Sequence, residues 1–365
     1  MRLLFFASDY SIGLGITMTE QLLSIIKSGI DCVCVAGHTE QESKLWEQLN
    51  AIEFAKYKIE GLDEHQKIAR LTNQLVKIID KEQITIVHIQ NNWQLALISF
   101  VKYIKGRSHL KIIYTIHGYR HNYEFKSHIA RFAIGTSLFL FTDKVIVLSN
   151  HVKSRFAILS YKICPLYLGV PDSFYQKQVN DIEINAIKMI FPGQFREGKN
   201  QDVLIRSIAS YIERTGDKSI RLTLPGSGTL KEYCQKLTES LGVKEQIIFP
   251  GLVRKEALVG MYEDCNIGVV SSNSETFGQC IVEPFVLGKC IITRKVGIAE
   301  EIIEDGKNGF FYDTEEDLVN VLLKLRQNLD MIKTCGNENF KNRNLFNWSF
   351  INKKYSHLLL SLIKP

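Results

Sequence analysis

The sequence predicts an α/β protein built from two doubly wound, parallel-sheet domains. Short apolar runs rich in Val and Ile alternate with longer amphipathic runs along the chain. The alternation pauses once, over residues 170–185, and restarts at Lys188. The length of 365 residues exceeds what one hydrophobic core usually serves.

In the first half, strands are expected at 3–7, 31–36, 85–89, 111–116 and 144–148. Turn or polar residues bound each run. Helical periodicity covers 17–27, 64–80, 93–103 and 126–139. In the second half, strands are expected at 188–191, 221–224, 246–249, 267–271 and 290–293, with a helix opening near Gln201. Strand–helix alternation of this kind belongs to parallel sheets. Residues 348–363 carry apolar positions at helical spacing and read as a terminal helix packed on the body. The expected division is a first domain over 1–170, a linker over 171–186, a second domain over 187–345 and a C-terminal helix over 346–365.

Composition narrows the class. Hydrophobic residues at 45% and charged residues at 23% are ordinary for a water-soluble globular chain. No apolar run reaches the roughly 18 residues that span a bilayer. Residues 1–8 lack the basic start and cleavage site of a signal peptide, so a cytoplasmic location is expected. Eight cysteines include no CxxC pair and no zinc spacing, and read as small buried thiols in a reducing compartment. Net charge is +6, all of it in residues 1–180. Between Lys102 and Lys162 there are eleven basic residues against two acidic ones, Glu124 and Asp143. An anionic lipid surface or a phosphorylated acceptor fits this run, as does a solvated basic face. No nucleic acid-binding signature accompanies it.

Several turns carry chemistry. Residues 11–15, Ser-Ile-Gly-Leu-Gly, follow the first strand and precede a helix, where pyrophosphate binds in dinucleotide folds. Met18 replaces the third glycine of that pattern, and the second strand ends Ala36-Gly37-His38 without an acid. A nicotinamide or flavin is therefore disfavoured. Gly13 reads as a loop that lets a substrate reach backbone amides, and Gly15 serves equally as a turn residue. Residues 191–200 place Arg196 and Lys199 in a strand-to-helix loop, where two cations can neutralise a diphosphate. By itself that run reads first as solvated loop cations. Residues 224–230 and 249–253 contain further glycine turns, at Gly226 and ahead of Val253. Residues 271–293 are the most informative. A strand end, a polar loop and a helix start near 276–278 offer amides of Thr276, Phe277 and Gly278 to phosphate oxygens. Glu275 and Glu283 flank that point and can accept sugar hydroxyls. By itself the pair is also readable as a helix cap and a surface glutamate.

These residues resemble the donor site of glycosyltransferase family 4, which has the GT-B fold. Its mark is Glu, Phe-Gly and a second Glu eight after the first, here Glu275, Phe277-Gly278 and Glu283. A glycine and a lysine six residues on are matched by Gly193 and Lys199. Gly226-Ser227-Gly228, Gly251, residues 297–301 and the turn at 305–309 match further motifs. Gly13 matches the donor-side loop, and His117-Gly118 matches a histidine flanking the donor sugar. The chain departs from the family at Gln194, where Arg is usual, and at Ile298, Leu168 and Pro284.

The resemblance implies two Rossmann-like domains facing across a cleft, with the C-terminal helix returning to the first. It implies a retaining hexosyltransferase that takes a UDP- or GDP-sugar as substrate, with no cofactor and no metal. Lys199 and Arg196 would stabilise the leaving diphosphate, Glu275 would position the hexose, Glu283 the ribose, and His117 would touch the sugar from the first domain. Gly13, Gly193, Gly226, Val253, Thr276, Phe277 and Gly278 would line the nucleotide. The acceptor would be a glycan or a lipid-linked sugar, near residues 91–93 and 119–123, in bacterial surface polysaccharide or glycolipid synthesis. Contact with the inner face of an anionic membrane fits the basic first half. A nucleotide-sugar epimerase of the same architecture, a non-catalytic nucleotide-sugar-binding subunit and a membrane-surface binding module are the alternatives.

Overall fold

Strand β1, Leu3–Ala7, opens a parallel sheet because Leu3, Leu4, Phe5 and Phe6 are all fully buried, two on each face. The structure, a computed structural model, describes residues 1–7, 14–36, 53–58, 68–117, 135–154, 156, 161–176 and 184–363. The chain divides into two units, Met1–Gly169 with Trp348–Pro365, and Val170–Asn347.

Unit 1 contains β1, β2 (Cys32–Ala36), β3 (Lys56–Lys58), β4 (Ile86–Ile89), β5 (Lys111–Ile116), β6 (Lys144–Val147) and β7 (Ile163–Pro165). Among the described residues they form one parallel sheet in the order β3-β2-β1-β4-β5-β6-β7. Helices α1 (Leu14–Lys27), α2 (Ile68–Lys81) and α3 (Asn92–Tyr103) lie between strands in the chain. The order reverses between β1 and β4, where open α/β sheets offer a ligand crevice at the strands' carboxyl ends.

The terminal helix, Trp348–Ser361, belongs to unit 1. Asn352 Nδ2 donates to the carbonyl of Ser24 in α1 at 3.0 Å. Tyr355 reaches the sheet itself, its hydroxyl 2.7 Å from His88 Nδ1 on β4, while His88 Nε2 meets Thr115 Oγ1 on β5 at 2.6 Å. A Cβ on Gly169 would lie 2.5 Å from the Trp348 ring, so only glycine fits under that indole.

Unit 2 contains β8 (Lys188–Ile190), β9 (Arg221–Pro225), β10 (Ile247–Gly251), β11 (Ile267–Val270), β12 (Cys290–Thr293) and β13 (Gly309–Phe311). Its parallel order is β10-β9-β8-β11-β12-β13, the order of a dinucleotide-type doubly wound sheet. The reversal falls between β8 and β11, which pair directly, Ile267 with Met189 and Gly268 with Ile190. Helices α4 (Gln201–Thr215), α5 (Lys231–Ser240), α6 (Lys255–Glu263) and α7 (Gln279–Val286) connect the strands.

Pro284 lies inside α7 and packs on β11. A Cβ on Gly268 would lie 2.4 Å from its ring. Three strands escape the periodicity reading, β3, β7 and β13, each three residues long. The expected helix at 126–139 lies mostly outside the described residues, and 135–141 are helical. All eight cysteines are free thiols, and only Cys164 is not fully buried.

Burial holds the His88 imidazole neutral and lowers its pKa to about 3. The unfolded imidazole titrates near 6.5, so the unfolded chain binds the extra proton first as pH falls. The stability contributed by this site is therefore present above about pH 6.5 and lost below it, by up to about 1.4 kcal/mol per pH unit. Urea unfolding followed between pH 7 and pH 5 should show the midpoint falling, and the fall should be smaller in His88→Gln. Equal pH slopes for the two proteins would reject this link.

Candidate functional site

Two loops meet where the order of the unit 2 sheet reverses. One follows β8 over residues 191–200, and the other follows β11 over 271–278. Their backbones are tied at several points. Ser271 Oγ donates to the carbonyl of Lys199 at 2.7 Å, and the Asn273 amide donates to the carbonyl of Gly198 at 2.8 Å. Asn200 caps α4 in the left-handed region, with φ 53°. Its side-chain amide crosses to the Ser271 carbonyl at 3.1 Å and to Asn273 Oδ1 at 2.6 Å. Asn tolerates this backbone better than most residues.

The tie brings Lys199 and Glu275 together, Nζ 2.5 Å from Oε1. Glu275 Oε1 also accepts from Ser272 Oγ at 2.7 Å, and the Cys280 thiol stands 3.9 Å away. Oε2 makes no hydrogen bond among the described residues. Burial is the largest single influence and works against a charged Lys199, but the charge and hydrogen bond of Glu275, together with Cys280, outweigh it and the ammonium pKa is raised. Arg196 is exposed, and its charge acts on Lys199 in the opposite sense. The neighbouring Cys280 thiol is pushed up by burial and then by Glu275, so it stays protonated.

Helix α7 begins at Gln279, slightly later than expected. Gly278 is its N-cap at φ 97°, and no side chain caps it. A helix N-terminus of this kind presents unspent amides and the positive end of the dipole. The Gln279 side-chain amide is buried with neither its O nor its N partnered among the described residues. Phe277 faces the interior, 4% exposed and edge-on to Phe346. Its carbonyl accepts from the Ile298 amide at 2.9 Å. Thr276 is half-buried in the same loop.

Glu283, just over one turn into α7, is buried. Tyr262 Oη donates to its Oε2 at 2.9 Å, and Lys255 Nζ lies 3.8 Å from Oε1. Burial raises its carboxyl pKa against the pull of Lys255. Lys255 and Tyr262 both come from α6, and Val253 is half-buried in the turn before that helix. Sequence reasoning missed Ser272, Lys255 and Tyr262. Lys255 alone had a readable cue, as a cation opening a helix just beyond a strand's carboxyl end.

The glycines have a packing reason. A Cβ on Gly226 would lie 1.9 Å from the Gly193 carbonyl oxygen. The Gly193 amide donates to the Pro225 carbonyl at 2.9 Å, and the Gly226 amide to the Gly251 carbonyl at 2.7 Å. The loops after β8, β9 and β10 therefore dock backbone on backbone. Gly297, at φ 55°, allows the same approach to the Phe277 carbonyl.

Unit 1 offers a neutral counterpart at its own reversal point. The fully buried Gln94 donates to the Phe6 carbonyl at 3.0 Å and accepts from the Gln90 amide at 2.7 Å. Gln90 Oε1 bonds His117 Nε2. Gln90 Nε2 and His117 Nδ1 are buried without partners among the described residues. Desolvation lowers the His117 pKa to about 4. Gln90 was missed by sequence reasoning, although it directly follows β4. Gly13, Gly118 and residues 119–123 lie outside the described residues. Among the described residues, no three His, Cys, Asp or Glu side chains group as a metal site would require.

Two doubly wound sheets, with an acid, a lysine and an uncapped helix at one reversal point, define a GT-B glycosyltransferase fold. The family model for glycosyl transferases group 1 matches residues 173–341, and that for Glycosyltransferase Family 4 matches 13–171. The chain belongs to this glycosyltransferase family. It is 27% identical over 143 residues to a D-inositol 3-phosphate glycosyltransferase of Corynebacterium diphtheriae, 38% of this chain and 33% of that protein. It is 33% identical over 117 residues to the alpha-monoglucosyldiacylglycerol synthase of Acholeplasma laidlawii, 32% of this chain and 29% of that one. The chain spans about a third of the length of the curated relatives it matches. The crystal structure of Anabaena Alr3699/HepE in complex with UDP shares the fold, with TM-score 0.81 and 17% identity over 99% of this chain and 100% of that one.

The Lys199–Glu275 pair is 13% and 15% exposed, so removing one partner strands a largely desolvated charge. Lys199→Met should cost about 1–2 kcal/mol of unfolding free energy, and adding Glu275→Gln should restore most of it. Urea denaturation of the four proteins in this cycle measures the coupling. Additive losses would show that the two side chains do not depend on each other.

Proposed function

We propose that the chain transfers a hexose-type sugar from a nucleotide-sugar donor to a glycan or lipid-linked acceptor, with retention at the anomeric carbon and without a catalytic metal. The observation that carries this reading is Glu275 held by Lys199 beside the uncapped N-terminus of α7. Breaking the bond to the anomeric carbon leaves negative charge on a diphosphate. Lys199, Arg196 and the first amides of α7 supply positive potential fixed before the reaction. Glu275 Oε1 is occupied by its donors, and Oε2 remains to accept a hexose hydroxyl. Glu283, held by Tyr262 and Lys255, takes the ribose side.

His117 belongs to unit 1. Its Nε2 donates to Gln90 Oε1, so the neutral ring keeps a lone pair on Nδ1 for a sugar hydroxyl. Gln90 Nε2 offers a donor beside it. A solved structure of the same fold holds UDP, and a matched relative is named as a glycolipid synthase. Both support a UDP-sugar as the first donor to try, ahead of a GDP-sugar, and a lipid-linked acceptor for bacterial glycolipid or surface polysaccharide.

Thermal-shift screening of UDP-, GDP- and ADP-sugars comes first, since a bound donor raises the melting temperature by mass action. With the donor identified, Lys199→Ala should lower kcat by about 10²–10³-fold, and Glu275→Ala by a similar factor. Wild-type rates in both variants would reject the assignment. So would transfer lost in excess EDTA and restored by magnesium. Conversion of donor alone to an epimer would replace transfer with epimerisation.

A further inference from the structure

We propose that Phe174, Phe346 and Arg343 are positioning residues of the donor site, acting through a clasp formed by the two segments by which the chain leaves unit 2. The proposal rests on the donor-site reading above and adds residues outside the set that meets the nucleotide. The chain passes between units at Gly169–Val170 and at Asn347–Trp348. On the unit 2 side the two segments are tied together. The Val170 amide donates to the Phe346 carbonyl at 3.1 Å, and Val170 forms an isolated parallel bridge with Asn347. Tyr175 and Arg343 then exchange hydrogen bonds. Tyr175 Oη donates to the Arg343 carbonyl at 3.0 Å, and Arg343 Nη2 donates to the Tyr175 carbonyl at 2.7 Å. The guanidinium also lies 4.8 Å from the Tyr175 ring centre and 4.3 Å from that of Phe340. A planar fork can stack and donate at once, which an ammonium cannot.

Each segment sends one fully buried ring to a residue that holds part of the site. Phe174, ending the turn Asp172–Phe174, meets Tyr262 of α6 edge-on at 6.3 Å. Tyr262 is the donor to Glu283 Oε2. Burial, and after it the Glu283 charge, holds the Tyr262 hydroxyl well above its ordinary pKa, so it stays a donor. Phe346, ending the turn Arg343–Phe346, meets Phe277 at 6.2 Å and Phe285 at 5.6 Å, both edge-on. In sequence those two rings bracket Gly278 and the first turn of α7. That helix is eight residues long and includes Pro284, which has no amide for the carbonyl four residues back. Edge contacts between buried rings fix orientation as well as position. One clasp thus sets the direction of Glu283 through Tyr262 and that of the first α7 amides through Phe277. Filling a core asks only for apolar bulk, which leucine supplies. Aiming a hydroxyl and a helix end asks for the ring itself.

Titration calorimetry of the full chain with UDP, 2′,3′-dideoxy-UDP and uridine tests the proposal, or the matching set for whichever nucleotide the thermal-shift screen selects. Phe174→Leu should cut the preference for ribose over dideoxyribose about fivefold and keep the gain in affinity from uridine to UDP. Phe346→Leu should cut that gain about fivefold and change the ribose preference less. Arg343→Met removes no buried ring and should show both losses, so it decides the matter where a phenylalanine variant does not fold. Hydrogen exchange on the ligand-free protein gives a second readout. Residues 276–283 should exchange faster in Phe346→Leu and Arg343→Met, and residues 255–263 in Phe174→Leu and Arg343→Met. Wild-type selectivity in every folded variant would overturn the proposal. So would equal weakening of all three ligands, by showing that the rings serve packing alone. Absence of nucleotide binding by the wild type would defeat the donor-site reading, whereas wild-type exchange rates in all the variants would defeat the clasp by itself.

Discussion

The site in unit 2 depends on a single oxygen. Glu275 Oε1 collects the Lys199 ammonium and the Ser272 hydroxyl, with the Cys280 thiol close by. Lys199 and Glu275 come from loops 76 residues apart in sequence, and they can meet only because β8 and β11 are neighbours. A parallel sheet that reverses its order leaves the loops of the two central strands with no helix between them. In this chain the gap is closed by Ser271, Asn273 and Asn200 before any ligand arrives. The cation is held at low exposure by its partner rather than by chance, so it is oriented without an ordering cost at the moment of binding.

The glycines that draw attention in the sequence serve this arrangement indirectly. Gly226 and Gly297 are needed because another backbone carbonyl occupies the space a Cβ would fill. Stacking the loops after β8, β9 and β10 on one another makes the crevice wall stiff. Glycine read as room for a ligand and glycine read as room for a neighbouring chain look alike in sequence. The loop-to-loop distance distinguishes them, and it exists only in the folded protein.

This explains what could and could not be read beforehand. The central strands were legible because they are buried on both faces, and such strands are continuous apolar runs, as in Leu3–Ala7 and Cys290–Thr293. The edge strands Lys56–Lys58 and Ile163–Pro165 were not, since three residues carry no period, and a lysine pair or a proline masks the rest. Lys199 and Glu275 were legible through a spacing that matches a known family. Their mutual contact was not, because nothing in the spacing says that the two loops adjoin. Tyr262 and Lys255 come to Glu283 from a different helix, and Tyr355 reaches His88 across 267 residues. Side-chain contacts set by tertiary packing leave no local trace.

The two units share a topology but differ in the polar groups they place at its reversal point. Unit 2 places ions there. Unit 1 places amides and an imidazole that burial keeps neutral, in the chain Phe6, Gln94, Gln90, His117. Groups of the second kind can orient a hydroxyl, but they cannot neutralise a diphosphate. The net charge runs the other way, because the whole excess of +6 lies in residues 1–180. The positive charge of the first half is therefore not stationed at that half's own polar crevice. Much of it sits along residues 102–162, where Lys105 and Lys162 lie over exposed rings. The ions at the unit 2 reversal point and the excess positive charge are thus separated within one chain. A substitution at Lys105 or Lys162 therefore leaves the Lys199–Glu275 pair of unit 2 untouched.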